Sequence, residues 1–204
     1  MNGQRASSGD DDSVMREATI SLASLLICAC ASSPPVRYFI LDPVAPAREL
    51  AVRPADPVQI VSVHLPPALD RRQIVREDAP NKLTVSKQDR WGAPLADMTR
   101  RVLSQDLMLR LAPARVVLPD EPAPGGTQAI SVDVLEFGVT ARGTLVLEGN
   151  WSIAPSGSDA SIASHHFQLT RGTVRSDSAE QAQGMSVLLG QLADAIAAEL
   201  AKAA

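Results

Sequence analysis

The sequence predicts an α+β fold, in which two main helices pack on a mixed, largely antiparallel sheet. Three segments alternate apolar and polar residues, as half-buried strands do: 130–134, 145–153 and 167–169. Two other segments, 94–111 and 178–200, carry apolar residues at helical spacing. Because the three strands follow one another closely, they predict an antiparallel meander that the helices cover with their apolar faces.

Shorter apolar runs predict further strands. Residues 37–41 form the first and end at Asp42-Pro43, and residues 58–65, rich in β-branched residues, form the second. The apolar phase shifts between Ile60 and Val61, which predicts a bulge or burial on both faces. The remaining short strands are predicted at 74–75, at 82–85 and at 116–118, the first two paired through the turn at 78–81.

Both predicted helices have recognisable ends and apolar faces. Pro94 suits a first helical turn, where its missing N–H costs nothing. Two apolar stripes predict that this helix is contacted on more than one side: Leu95, Met98, Val102 and Leu109, and Leu103, Leu107 and Leu111. In the last helix, Ser178 and Gln181 have the spacing of a capping box. The face expected to pack on the sheet consists of Met185, Leu188, Leu189, Leu192, Ile196 and Leu200.

Composition and charge limit the classes of function. A chain of 204 residues predicts one domain plus additional segments, and 45% hydrophobic residues suffice for a core. The formal net charge is -4 and the basic residues are scattered, which argues against a nucleic-acid partner. The two cysteines, Cys28 and Cys30, lie together near the N-terminus, which excludes a disulfide framework or a thiolate metal site in the remainder of the chain.

The N-terminal segment predicts export and lipidation. The apolar stretch at 18–29 is shorter than the roughly 20 residues that span a bilayer, and it ends in small residues like a secretory signal. We assign residues 1–29 to a signal peptide, with Met15 as an alternative start because the preceding segment is acidic. The sequence ending at Cys30, ICAC, resembles a bacterial lipobox, whose cysteine is acylated and becomes the mature N-terminus. Residues 30–36 are then a lipidated tether and 37–204 the folded domain; an ordinary signal peptide is the alternative.

No local motif predicts catalysis, a cofactor or a metal ion. The sequence contains no GxSxG elbow, phosphate loop, GxGxxG or HExxH motif. His165 and His166 are neighbours in a strand and point to opposite faces, so they are not expected to chelate one metal, and His64 stands apart. The carboxylates between 70 and 78 lie among arginines and are interpreted as solvated surface. We expect a protein that is not an enzyme, with a site assembled from scattered residues as the alternative.

Three segments in order resemble a known family. They read CASSPPVRYFILD from Cys30, LPPALDRRQIV from Leu65 and RWGAPL from Arg90, followed by the first helix. Behind a lipobox, this order and spacing resemble the ABC-type transport auxiliary lipoprotein family, the group that includes paraquat-inducible protein C. The resemblance extends from Cys30 to the last helix, and residues 37–204 are its auxiliary lipoprotein domain.

The resemblance implies a non-catalytic accessory that is lipid-anchored at Cys30 to the periplasmic face of the outer membrane. The implied partners are an MCE-domain protein and an ABC transporter that move lipids between the two membranes. A bound phospholipid and a homo-oligomer are further expectations. Partner contact is expected at Asp70, Gln73, Trp91 and Leu95. Alternatively, Trp91 and Leu95 are a staple between the helix entry and the core, and Asp70 caps a turn. An independent periplasmic lipid carrier and an envelope scaffold without a transporter partner are the competing functions.

Overall fold

The structure is a computed structural model that describes residues 34–46, 54, 56–157, 163–173 and 177–202. The predicted signal peptide, Cys30 and the first part of the tether lie outside these residues. The elements in chain order are β1 (Arg37–Phe39), β2 (Val58–His64), β3 (Gln73–Ala79), β4 (Lys82–Trp91), α1 (Leu95–Met108), a 3-10 turn (Pro113–Arg115), β5 (Val116–Val117), β6 (Gln128–Val139), β7 (Thr144–Pro155), β8 (Ala163–Thr173) and α2 (Ser178–Lys202).

The described strands form two sheets. The small sheet has the order β1-β4-β3, and the large sheet has the order β5-β2-β6-β7-β8. β1 is parallel to β4, and β2 is parallel to both β5 and β6, whereas the other pairs are antiparallel. The predicted α+β class is confirmed, but the single sheet that we expected is divided. The division follows from Pro66 and Pro67, which lack the N–H that would extend β2, so the chain turns away into the β3–β4 hairpin.

The large sheet contains the predicted meander. β7 lies between β6 and β8, with Ile130 opposite Ile153 and Gly149 opposite Phe167. The alternation in β7 places one face in the core, as predicted for a half-buried strand. The predicted irregularity in β2 is also confirmed: its register with β6 shifts between Ile60 and Ser62.

The first helix packs on β2 and α2 but ends earlier than predicted. Leu103 and Leu107 are fully buried, as the two-stripe pattern predicts. The placement of Leu109 in the core stripe is wrong, because α1 ends at Met108 and Leu109 is 51% exposed. The reason is that the N–H groups of Arg110 and Leu111 both turn back to the carbonyl of Leu107, which tightens the last turn and rotates Leu109 outward.

The last helix packs on α1 and on the meander through the predicted apolar face. The capping box predicted from Ser178 and Gln181 is wrong. Asp177 caps the helix instead, since its carboxylate accepts the N–H of Ala179 at 3.0 Å. Among the described residues, α2 is the one helix with the length and apolarity of a membrane span, but most of its apolar stretch is buried inside this domain. It is therefore the core helix of the fold.

Candidate functional site

The second of the three sequence segments forms a tight turn between the two sheets. The N–H groups of Leu69 and Asp70 donate to the carbonyl of Pro66 at 2.8 and 3.1 Å, and the N–H of Arg71 donates to that of Leu69 at 2.8 Å. Leu69 packs partly against the core, whereas Asp70 is exposed. The turn thus presents an apolar side chain and a carboxylate just before β3 begins.

A bulge in β6 lies across from this turn. Val134 is opposite Gly149 and Glu136 is opposite Glu148, so Leu135 has no partner in β7. Its side chain is 58% exposed, although the residues on either side belong to a long regular strand. The bulge therefore turns an apolar side chain outward at the place where β6 approaches β3.

Between the turn and the bulge lies an open, largely apolar cleft of about 360 Å³, which we call the β3–β6 groove. Its lining residues come from the turn, the β3–β4 hairpin and β6: Pro66, Ala68, Leu69, Val75, Arg76, Glu77, Leu83, Leu135, Glu136, Phe137, Gly138 and Val139. Leu83 is 53% exposed, so the apolar rim faces solvent on both sides of the cleft. Four lining residues belong to the second sequence segment, which connects the resemblance to a physical surface.

Carboxylates give one end of the groove a negative charge. Burial raises the pKa of Glu136 above its ordinary value, and the nearby carboxylates Glu148 and Glu77 raise it further. Glu77 is held by the N–H of Ala141 at 2.9 Å. The neighbouring Arg76 also lines the groove, and its Nε donates to Gln181 at 2.8 Å. The groove therefore combines an apolar rim with two carboxylates and one guanidinium group.

The predicted contact residues divide into a surface pair and a buried pair. Asp70 is exposed and directly follows the groove residue Leu69, whereas Gln73 is half-buried at the start of β3. Trp91 and Leu95 are only 3% and 2% exposed, which favours the alternative that they staple the helix entry to the core. The N–H of Trp91 also donates to the carbonyl of Arg72 at 2.7 Å, so this residue positions the turn. Partner contact by the four residues stays a prediction.

The main groove residues that sequence reasoning missed are Leu83, Leu135 and Glu136. One local signal was available, because Leu135 follows Val134 and so breaks the alternation of Ile130, Val132 and Val134. An apolar pair inside an alternating strand indicates a bulge. Nothing local indicates that β3 and the turn after Pro66 lie opposite that bulge.

The histidines form separate polar or aromatic contacts. His64 Nδ1 lies 2.8 Å from Asp133 Oδ1, and His166 Nδ1 lies 3.3 Å from Asn150 Oδ1. The ring of His165 stacks on that of Trp151 at 4.2 Å between centroids. Within the described ranges, no three His, Cys, Asp or Glu side chains are placed to hold a metal ion.

The comparison with known families agrees with the sequence segments. The model of the family described as ABC-type transport auxiliary lipoprotein component matches residues 39–197. This chain belongs to that family. The auxiliary lipoprotein match covers the whole β3–β6 groove, from the turn after Pro66 to the end of β6. No curated protein matches the chain.

Solved structures share the fold of this auxiliary lipoprotein. An uncharacterised protein is 18% identical with a TM-score of 0.64, over 81% of this chain and 99% of that one. A protein from Xanthomonas campestris is 17% identical with a TM-score of 0.61, over 81% of this chain and 94% of that one. At these identities the likeness concerns the fold alone.

Proposed function

We propose that this auxiliary lipoprotein is a non-catalytic accessory of an ABC/MCE-type system that transports lipids between the two membranes of the envelope. In this proposal Cys30 carries the lipid anchor, and the domain stands on the periplasmic face of the outer membrane. The support is the family membership together with one observation, the β3–β6 groove. An exposed apolar cleft rimmed by charge is a surface that commonly marks a protein interaction site.

The groove chemistry favours a particular kind of occupant. Leu69, Leu83 and Leu135 offer apolar contacts, and Glu77 and Glu136 offer negative charge beside them. A complementary segment carries apolar side chains together with a lysine or arginine. β3 is also an edge strand of the small sheet, a position where an extended chain can pair, although the carbonyl of Val75 already accepts the Nε2–H of Gln181 at 3.2 Å. We propose that a segment of the MCE-domain partner, extended and both apolar and basic, binds there.

A lipid carrier is the competing function. Its requirement is an enclosed apolar cavity, typically of about 300–1,000 Å³ for small ligands. The groove volume of about 360 Å³ is at the low end of that range, and the groove is open rather than enclosed. The two acyl chains of a phospholipid need considerably more shielded space. The groove therefore supports a protein segment better than a phospholipid.

The test is crosslinking and affinity purification of the tagged full chain from cells, with partners identified by mass spectrometry. Leu135→Asp places a charge in the groove, and Leu109→Asp is its matched control, since the two leucines are 58% and 51% exposed at separate places. We expect recovery of an MCE-domain protein or ABC transporter, reduced by Leu135→Asp but not by Leu109→Asp. Cys30→Ala is expected to release the chain from the membrane fraction and to reduce recovery as well.

Two results would count against this proposal. If neither partner is recovered while the protein remains in the membrane fraction, the result favours an envelope scaffold without a transporter partner. Phospholipid that copurifies with the folded domain and is lost in Leu135→Asp assigns the groove to a carrier instead.

A further inference from the structure

A second apolar surface lies on the small sheet, at the edge away from the β3–β6 groove. Val36, Tyr38 and Ile40 are 41%, 63% and 58% exposed, and we call these three residues the β1 stripe. Successive side chains of a strand point to opposite faces, so the three share one face. Of the two intervening residues, Phe39 packs partly against the core, whereas Arg37 pairs with Asp89 and remains 62% exposed. This edge therefore exposes three apolar side chains and one arginine.

Basic side chains accompany the β1 stripe. Tyr38 is in register with Arg90 of β4, which is in turn opposite Gln73 of β3, so Arg90 stands beside Tyr38 on the same face. Arg71 and Arg72 are exposed in the turn before Gln73, two strand spacings or about 10 Å from β1. Exposed Asp70 in the same turn offsets one of these charges.

The tether keeps the β1 stripe close to the membrane. Residues 31–35 separate Cys30 from Val36, so the fully extended chain places Val36 no more than about 20 Å from the acylated cysteine. Tyrosine prefers the membrane–water interface, where its ring is in the apolar region and its hydroxyl in water. Arginines beside it can bind lipid phosphates. Apolar residues, tyrosine and arginines together, at the point where the chain leaves its anchor, fit a lipid surface better than a protein groove.

We infer that the β1 stripe is a membrane-contact site, which binds the phospholipid headgroups of the leaflet that holds the anchor. Arg71, Arg72 and Arg90 bind lipid phosphates around it. The inference rests on the anchor at Cys30, which is part of the proposed function. β1 and β3 are opposite edges of the small sheet, and the turn that carries Arg71 and Arg72 also contributes Leu69 to the β3–β6 groove. The domain is then held in one orientation on the membrane instead of moving freely on its tether.

The experiment measures the contact of single labelled positions with lipid. Both natural cysteines lie at or before the acylation site, so one cysteine introduced into the domain is the only reactive thiol of the mature lipoprotein. The lipidated chain carries a fluorophore at Val36→Cys or, as the control position, at Leu109→Cys. It is reconstituted into vesicles of phosphatidylethanolamine with a minority of phosphatidylglycerol, some of whose acyl chains are brominated. Bromine quenches a fluorophore only at close approach.

We expect quenching at Val36→Cys and little at Leu109→Cys. Adding Tyr38→Asp and Ile40→Asp to the Val36 reporter is expected to abolish the quenching, whereas adding Val61→Asp, at another exposed valine, is not. Replacing both Arg71 and Arg72 by glutamate is expected to weaken it.

Three results overturn the inference. If the chain fails to enter the vesicles, the assignment of the anchor to Cys30 is wrong, and the membrane-contact site that depends on it is wrong as well. If the chain enters the vesicles but both positions are quenched equally or not at all, only the membrane-contact site is wrong, and the proposed transport function is unaffected. If unlabelled Val36→Cys molecules in the vesicles are joined to each other by a bifunctional thiol reagent, and the labelled chain is not quenched by lipid, the β1 stripe is an interface between copies of this chain.

Discussion

Arg37 and Asp89 form a two-point ion pair that joins β1 to β4. The Arg37 Nε lies 2.7 Å from Asp89 Oδ1, and its Nη2 lies 3.0 Å from Oδ2. Asp89 is buried, and it also accepts the hydroxyl of Ser178 at 2.6 Å. One carboxylate thus connects both strands to the start of α2. Hydrogen bonding from Arg37 is the main reason that the pKa of Asp89 is lower than its ordinary value.

The first prediction concerns this carboxylate. Asp89→Ala leaves the Ser178 hydroxyl without its acceptor inside the protein, and we expect the free energy of unfolding to fall by about 2 kcal/mol. Because the folded-state pKa of Asp89 is lowered, its contribution is present at neutral pH and is lost as the pH falls through that pKa. Urea denaturation at several pH values measures both effects.

The matched control for Asp89 is Asp78→Ala, which removes an exposed pair with Lys82 at 3.2 Å. Pairs of this kind contribute about 0.5 kcal/mol or less. Equal losses in the two variants would show that the Asp89 connection to α2 adds nothing to stability.

The second prediction compares two glycines of the large sheet. A Cβ on Gly149 would collide with the carbonyl oxygen of Asp133 and lie 3.0 Å from the Cα of Val134, both backbone atoms that cannot move aside cheaply. A Cβ on Gly138 would meet nothing within 4 Å. We expect Gly149→Ala to destabilise by about 2 kcal/mol or more, and Gly138→Ala to be neutral or slightly stabilising. Thermal unfolding of the two variants measures the difference, and similar melting temperatures would contradict this close approach of β6 and β7.

Local periodicity in the sequence was sufficient to predict much of the fold. The alternation in β7 and the helical face of α2 follow from side-chain burial in single elements, so one sequence is sufficient to find them. The turn at Pro80 and Asn81 was predictable for the same reason, since Asn81 adopts the left-handed conformation that asparagine tolerates. The capping role of Asp177 was missed because Ser178, one residue later, also has the spacing of a capping residue. In the structure the Ser178 hydroxyl donates to Asp89 instead.

Long-range pairing was not predictable. β1 is parallel to β4 across about fifty intervening residues, and nothing in Arg37 or Asp89 alone indicates the other. The groove could not be predicted for the same reason, because Leu69, Leu83 and Leu135 come from three separate parts of the chain. Each of them looks like an ordinary core leucine in the sequence. Only the β6 bulge and the division into two sheets leave them at the surface.

The third prediction separates the structural residues from the contact residues. Trp91 is buried in the core, so we expect Trp91→Ala to destabilise by about 3–5 kcal/mol. Asp70 is exposed after the groove residue Leu69, and Gln73 is half-buried at the start of β3, so Asp70→Ala and Gln73→Ala are expected to change stability little and to reduce partner recovery in the crosslinking experiment. Trp91→Phe tests whether the apolar ring is sufficient, and it is expected to fold and to retain the partner. Loss of the partner in a well-folded Trp91→Phe would instead assign Trp91 a direct contact.

The fourth prediction concerns Asp106, a buried carboxylate in the last turn of α1. Asp106 Oδ1 accepts the N–H of Val44 at 2.7 Å and lies 3.5 Å from Arg110, whereas its Oδ2 is buried without a hydrogen-bond partner. Arg110 is shared with Asp194, to which its Nε donates at 2.6 Å. Burial raises the pKa of Asp106 from 3.8 to about 6, against the opposing effects of Val44 and Arg110. The folded chain therefore binds this proton more tightly than the unfolded chain does.

A raised carboxyl pKa means that stability is lost as the pH rises between about 4 and about 6. Asp106→Asn keeps an acceptor for Val44 but carries no charge, so it is expected to lack this loss. The stability difference between Asp106→Asn and the unsubstituted chain should therefore shift in favour of the variant from pH 4 to pH 7, by at most about 3 kcal/mol. Taking the difference cancels the titration of the groups that do not interact with Asp106. Asp120→Asn, at an exposed carboxylate paired with Arg100, should give a flat difference across the same range. A flat difference for Asp106→Asn as well would mean that Arg110 keeps Asp106 ionised at little cost, and that the segment around Val44 is held equally firmly at every pH.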